Sequence, residues 1–327
     1  MRTRLTELLG CRAPIIQTGM GWVATPELTA ASCDAGAFGF IAAAALPVDE
    51  VARRIDQTKL LTDQPFGVNF LMDAPGAEEI VDLLIEHGVR AAGYNRAPSA
   101  TLIDRLKAEG ILCVPTCGAP RHVQKAEQLG ADIVIVQGGE GGGHTGTIPT
   151  SLQVSACADA VEIPIVAAGG FKDGRGLVAA LAFGAAGIAM GTRFLMTAES
   201  PVPNVTTDRY VAAGLPDIIV TDEIDGMPQR VIVNELVREL ESAGPIRKLL
   251  FAARNALASA SANATASSGE GAQNRSFSYW RRRSEVDRCA PRSAASPNRN
   301  ERRSVAESAP SASNADRFAG SRSSRSS

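Results

Sequence analysis

Short apolar runs alternate with helix-length amphipathic segments eight times between the first residues and about position 190, and few architectures accept that pattern. The apolar runs predict strands at Ile15 to Gln17, Phe38 to Ala42, Phe66 to Phe70, Val89 to Gly93, Ile111 to Thr116, Ile133 to Gln137, Ile165 to Ala168 and Gly187 to Met190. Between them lie stretches such as PVDEVARRIDQTKLL, GAEEIVDLLIEHG and SATLIDRLKAEG. In these, apolar residues recur at three and four while charges fill the opposite face. Several end in glycine, a residue suited to stopping a helix. Strand and helix alternating with short connections require parallel strands joined by crossover helices, and eight repeats suggest closure into a (β/α)₈ TIM barrel. An open doubly wound sheet is the competitor. A dinucleotide fingerprint would normally open the first strand–helix unit of such a sheet. Here the main glycine cluster, QGGEGGGHTG, follows the sixth strand, which favours the barrel.

The chain has 327 residues, long enough for one barrel with sequence to spare. The surplus is compositionally distinct. Residues 256–327 carry 18 Ser and 12 Arg, with no Lys and no Ile, a content too poor in apolar side chains to offset ordering entropy. The expected organisation is therefore a barrel over residues 1–255 followed by a Ser/Arg-rich tail that is disordered, or aberrant in the sense of a C-terminus read out of frame. A basic arm for RNA or a membrane is the other reading of that tail, but its aromatics are not interleaved with the arginines. The whole-chain charge of −2 gives no reason to expect a nucleic-acid partner. No apolar stretch reaches membrane-spanning length, and no secretory signal is visible, so the expectation is a cytoplasmic protein. The six cysteines form no C-x-x-C pair; Cys113 and Cys117 come nearest to ligand spacing and read as buried thiols, with a metal or redox pair as the alternative.

In a barrel of this kind the segments after each strand gather at one mouth, where the chemistry is done. Those segments are QTGMGW, PTCGAP, QGGEGGGHTG, AAGGFKDGRG and MGTRF, with Asn69 on the third strand. The loops after the last two strands often form a phosphate cup from backbone N–H groups, and Gly169, Gly170, Gly191 and Thr192 are placed for that task. No nucleophile with an adjacent base is evident, nor a carboxylate cluster fit for a metal. A phosphate-bearing organic cofactor is the simpler inference, and flavin mononucleotide (FMN) suits a single cup. Of three histidines, His87 and His122 belong to helix ends, whereas His144 lies on the glycine-rich loop, where an imidazole can take or give a proton. Glu140 has three readings: orienting the histidine, orienting the cofactor, or simple solvation.

Over roughly residues 1–250 the chain resembles the nitronate monooxygenase family, once called 2-nitropropane dioxygenases. The resemblance rests on APIIQTGMGWVATPELTAASCDAGAFGFIAA, PFGVNF, IVIVQGGEGGGHTG and PIVAAGGFKDGRGLVAALAFGAAGIAMGTRFLMTAES. It implies an FMN-dependent barrel in which Met20, Gly21, Asn69, Gln137, Gly142, Gly170, Ala189, Met190, Gly191 and Thr192 contact the cofactor and His144 is the catalytic base. The implied reaction is oxidation of a nitronate or nitroalkane with O2 to a carbonyl compound and nitrite. Similar motifs occur in enoyl-thioester reductases and in actinobacterial flavoproteins of steroid-ring catabolism, which would pair an acyl-CoA with NAD(P)H; QTGMGWVA is more similar to the latter. A homo-oligomer is compatible with all of these. A non-catalytic binding protein with an arginine-rich arm is the reading from another class, and flavin colour separates it from the enzymes.

Overall fold

The computed structural model describes residues 1–244 apart from positions 45 and 96; the Ser/Arg-rich segment lies outside the described residues. Eight parallel strands close into a barrel: β1 (Ile15–Gln17), β2 (Phe38–Ala42), β3 (Gly67–Leu71), β4 (Ala91–Asn95), β5 (Leu112–Cys117), β6 (Val134–Gln137), β8 (Ile165–Ala168) and β9 (Gly187–Met190). A two-residue strand outside the barrel, β7 (Gly143–His144), falls between the sixth and seventh staves. Closure is achieved at β1, where Ile16 stands beside Phe38 on one side and Ala189 on the other. The open sheet is thereby excluded. The strands β1, β2, β8 and β9 have the spans read from the sequence, while β3 to β6 begin one or two residues later than expected.

The crossover helices α2 (Pro26–Asp34), α3 (Val48–Leu61), α4 (Ala77–Glu86), α5 (Ala100–Ala108), α6 (Pro120–Gln128), α7 (Thr150–Ala158) and α8 (Gly174–Ala182) form the outer layer. Local sequence explains where some of them start. The Thr25 and Ser99 side chains accept from the Leu28 and Leu102 N–H groups, satisfying first-turn donors that have no partner inside the helix. The faces they bury follow helical spacing, as in Val51, Ile55 and Thr58 of α3.

Inside the staves, Ile16, Phe38, Phe40, Val114, Ile133, Ile135 and Val166 pack together. The short N-terminal helix α1 (Arg4–Leu9) closes the N-terminal end with Leu5 and Leu9, both fully buried. Each such side chain contributes about 1.5–3 kcal/mol relative to exposure. The Phe40 ring fits only because Gly67 and Gly93 face it: a Cβ on Gly67 would lie 2.4 Å from the ring. The N-terminal end is thus plugged and the middle of the barrel filled.

Beyond the last stave come α9 (Thr192–Leu195), α10 (Asn204–Ala212), β10 (Ile218–Thr221), β11 (Gln229–Ile232) and α11 (Glu235–Ser242). The strands β10 and β11 form an antiparallel hairpin, and β11 also pairs with β7 to give a three-stranded sheet in the order β10–β11–β7. No helix among the described residues is long and apolar enough to cross a membrane.

Candidate active site

The loop after β6 is a knot of close backbone contacts. Gly138 donates to the Ala168 carbonyl on the neighbouring stave (3.0 Å), Gly139 to the Ile148 carbonyl (2.7 Å), and Gly141 back to Gly138 (3.0 Å). A Cβ on Gly138 would sit 2.3 Å from Thr150 Cα, and one on Gly141 would sit 2.6 Å from the Gln137 amide nitrogen. Part of the glycine run is thus a packing requirement. Gly169, at φ 107°, has a left-handed conformation, and its Cβ would lie 2.8 Å from the Gly141 nitrogen; Gly170 follows at φ 79°. The loops after β6 and β8 therefore meet through bare backbone.

Glu140 projects from this knot onto the start of α7. Its carboxylate accepts from the Thr150 backbone N–H at 2.5 Å and from the Thr150 hydroxyl. Partial burial raises its carboxyl pKa, but the two Thr150 hydrogen bonds and the Arg230 guanidinium outweigh it, leaving the group below its ordinary value. Of the three readings, neither orienting His144 nor simple solvation describes it. Glu140 is a clamp at a helix N-terminus, where a negative charge is favoured.

The remaining mouth residues form a chain of near contacts. Gly142 faces Thr192, whose hydroxyl would be 3.7 Å from a Cβ there. Gly191 faces Met20 Sδ and the Thr18 hydroxyl, each 3.3 Å from its Cβ position. Across the mouth, Gly19 lies against Asn69, whose amide nitrogen in turn would be 3.0 Å from a Cβ on Gly93. Met20 and Asn69 are half-buried, and Gly21, Gly142, Gly170 and Thr192 are exposed. The structure thus brings Met20, Gly21, Asn69, Gln137, Gly142, Gly170, Gly191 and Thr192 to one end of the barrel. Ala189 and Met190 differ: both side chains are buried, Ala189 inside the barrel and Met190 against the helices, so only their backbone is available to a ligand.

His144 is held at both ends. Gln137 Nε2 donates to its backbone carbonyl at 2.7 Å, and its ring Nε2 lies 2.9 Å from Asp225 Oδ2. The β10–β11 hairpin delivers Asp225: Gln229 of β11 stands opposite His144, and the Met227 N–H donates to Asp225 Oδ1 at 3.2 Å. Partial burial raises the Asp225 carboxyl, yet hydrogen bonds from Gln229, His144 and Met227 outweigh it and hold the group below its ordinary value. Arg230 donates to the Gly139 carbonyl through Nη2 (2.8 Å) and Nε (3.1 Å), tying the hairpin to the glycine loop.

Asp225 and Arg230 escaped the sequence reading. The available signal was IIVTDEIDGMPQRVIV, two β-branched runs flanking Asp-Gly, with Gly226 at φ 84°. The other two histidines sit elsewhere, His87 beside Asp56 (3.3 Å) and His122 beside Arg121 (3.3 Å). Cys113 is buried and Cys117 half-buried; burial pushes both up to about 12, so they are thiols rather than thiolates.

Comparison with known proteins extends over the same segments. The nitronate monooxygenase family profile matches residues 2–283. A (3aS,4S,5R,7aS)-5-hydroxy-7a-methyl-1-oxo-octahydro-1H-indene-4-carboxyl-CoA dehydrogenase of Rhodococcus jostii is 54% identical over 256 residues, 78% of this chain and 72% of the relative. A probable nitronate monooxygenase of Staphylococcus saprophyticus is 33% identical over 287 residues, covering 73% of this chain and 81% of the relative. Among solved structures, FabK from Thermotoga maritima superposes with a TM-score of 0.71 at 37% identity, covering 76% of this chain and 81% of that one. A closed parallel barrel, a glycine-lined mouth with a single histidine, and these matches together make the chain an oxidoreductase of the nitronate monooxygenase family.

Proposed function

We propose that the protein is an FMN-dependent dehydrogenase that oxidises the hydroxyl group of a hydroxyacyl-CoA, with His144 as the base. The observation that carries the reading is an exposed imidazole at the mouth of a barrel that is 54% identical, over 256 residues, to a protein named as the dehydrogenase of a hydroxy-substituted carboxyl-CoA. The sequence alone ranked nitronate oxidation first; the difference between 54% and 33% identity reverses that order.

The mouth suits a flat, phosphate-bearing cofactor. Nothing lies within 4 Å of the Cβ positions of Gly21 and Gly143, and at Gly142 only the Thr192 hydroxyl does, so a cradle stays open that larger residues would fill. Gly170 with the Gly191–Thr192 turn offers backbone N–H groups for a phosphate, since the first N–H groups of a helix such as α9 lack intrahelical acceptors. Met20 and Asn69 would border the ring system. A bound flavin would supply the two-electron acceptor for oxidation of the substrate, and NAD(P)+ would take those two electrons from the reduced flavin to close the cycle. His144 takes the substrate proton, and Gln137 holds the His144 backbone in place through its carbonyl.

Nitronate oxidation with O2 is the second reading, favoured by the family profile and the 33% identical relative. Anaerobic stopped-flow spectroscopy of the FMN-loaded protein separates the two. A hydroxyacyl-CoA bearing a fused bicyclic ring should bleach the flavin, and propionate 3-nitronate should not. Bleaching by the nitronate alone makes the second reading correct, and no bleaching by either, or by NADH or NADPH, removes both.

A further inference from the structure

We infer that Asp225 is a positioning residue for His144: it occupies the Nε2 side of the ring, so that Nδ1 is the nitrogen that exchanges the proton with substrate. The inference deepens the proposed function and rests on His144 serving as its base.

The argument begins with the carboxylate. Asp225 divides its oxygens, Oδ1 accepting from the Met227 N–H at 3.2 Å and Oδ2 meeting His144 Nε2 at 2.9 Å. The first contact fixes the carboxylate to its own hairpin turn, and the second transmits that position to the ring. An ionised carboxylate only accepts hydrogen bonds, so in neutral His144 the proton resides on Nε2 and the lone pair on Nδ1. Because the Asp225 carboxyl is held below its ordinary value, it is ionised throughout the range in which a histidine titrates.

Stability does not account for this pair. The two side chains are 55% and 41% exposed, and an ion pair so wet contributes at most about 1 kcal/mol to folding. Its partners are also 81 positions apart in sequence, brought together only by the pairing of β11 with β7. The hairpin is tied down a second time by Arg230, whose guanidinium is committed to the Gly139 carbonyl. Gln137 and Gln229, the other side chains bracketing His144 from β6 and β11, carry no charge. Asp225 is therefore the anion that sets which ring nitrogen carries the proton, and it plays the part of the carboxylate that orients a catalytic imidazole elsewhere, without touching substrate.

With only three histidines, ¹⁵N-labelled FMN-loaded protein reports the ring directly through long-range ¹⁵N–¹H correlations. Wild-type His144 should show the Nε2–H tautomer when neutral. Asp225→Asn should mix the tautomers, because the carboxylate that fixes the proton on Nε2 is gone. In turnover with the hydroxyacyl-CoA, Asp225→Asn should lower kcat about 10-fold or more and change KM less than about threefold. Asp225→Glu should restore part of each. An Nδ1–H tautomer in the wild type, or a tautomer unmoved by Asp225→Asn in protein that retains its melting temperature and flavin spectrum, overturns the inference. The spectra need no substrate, so they answer even if the hydroxyacyl-CoA fails to reduce the flavin.

Discussion

The barrel wall and the β10–β11–β7 sheet are held under opposite constraints. Every residue of β2, β8 and β9 is buried, whereas all four residues of β11 are half-buried and both residues of β7 are exposed. In the wall, position is dictated by packing on two faces. In the small sheet it is dictated by backbone pairing, by one turn and by the Arg230 tie to Gly139. Glycines such as Gly170 and Gly191 thus follow directly on the packed wall, whereas His144 sits on the half-exposed sheet.

The comparison is easiest to break inside the wall. Gly67→Val puts side-chain atoms where the Phe40 ring already lies, 2.4 Å from even the first carbon, with the Ala91 carbonyl 3.0 Å away on the other side. The ring is fully enclosed and cannot swing out. The expected outcome is a loss of about 3 kcal/mol or more, read as a lower urea midpoint or as insoluble protein. A wild-type midpoint would mean that the barrel interior is far looser than its packing indicates.

His144→Asn tests the other region, with the opposite signature. An exposed side chain leaves folding stability within about 0.5 kcal/mol, while turnover of a hydroxyacyl-CoA should fall about 10²-fold or more with flavin still bound. A nitronate, already an anion, should lose less under the same substitution. Unchanged hydroxyacyl-CoA turnover removes His144 as the base.

The two regions also differ in how far the sequence disclosed them. The wall was legible because a buried parallel strand is a continuous apolar run flanked by helix signals; the expected spans of β1, β2, β8 and β9 are the observed ones. The late starts of β4 and β5 have a local reason: the Val89 and Ile111 N–H groups bond to the Leu84 and Leu106 carbonyls, spending those residues on ending a helix. At the site, the glycine motifs pointed to one mouth, and Met20, Asn69, Gly142, Gly191 and Thr192 do lie there in a chain of near contacts. The hairpin left a faint trace because four-residue, half-exposed strands have no clean alternation. No local pattern could pair His144 with Asp225, since that pairing is a property of register between β11 and β7. Glu140 was ambiguous for the same reason: its partner Thr150 is a neighbour only after the loop folds back.

The smallest effect lies on the boundary between the two regions, at the Glu140 clamp. The carboxyl pKa is lowered in the folded protein, so the clamp's contribution is fully present above the unfolded value, near 4.3, and is lost as pH falls through the lower folded value. Its two Thr150 hydrogen bonds at the head of α7 are worth about 0.5–1 kcal/mol, toward the low end because the residue is exposed. Glu140→Gln should therefore lower the melting temperature by a few degrees or less at pH 7, and the difference from wild type should shrink only below about pH 4. Amide exchange at Thr150 is the local probe, since that N–H loses a charged acceptor and keeps at most a neutral one. If protection there falls while the His144 titration stays put, the glycine loop and the hairpin sheet are separate units. If the His144 titration moves as well, the Arg230 tie transmits strain from the wall into the sheet, and the two regions act as one.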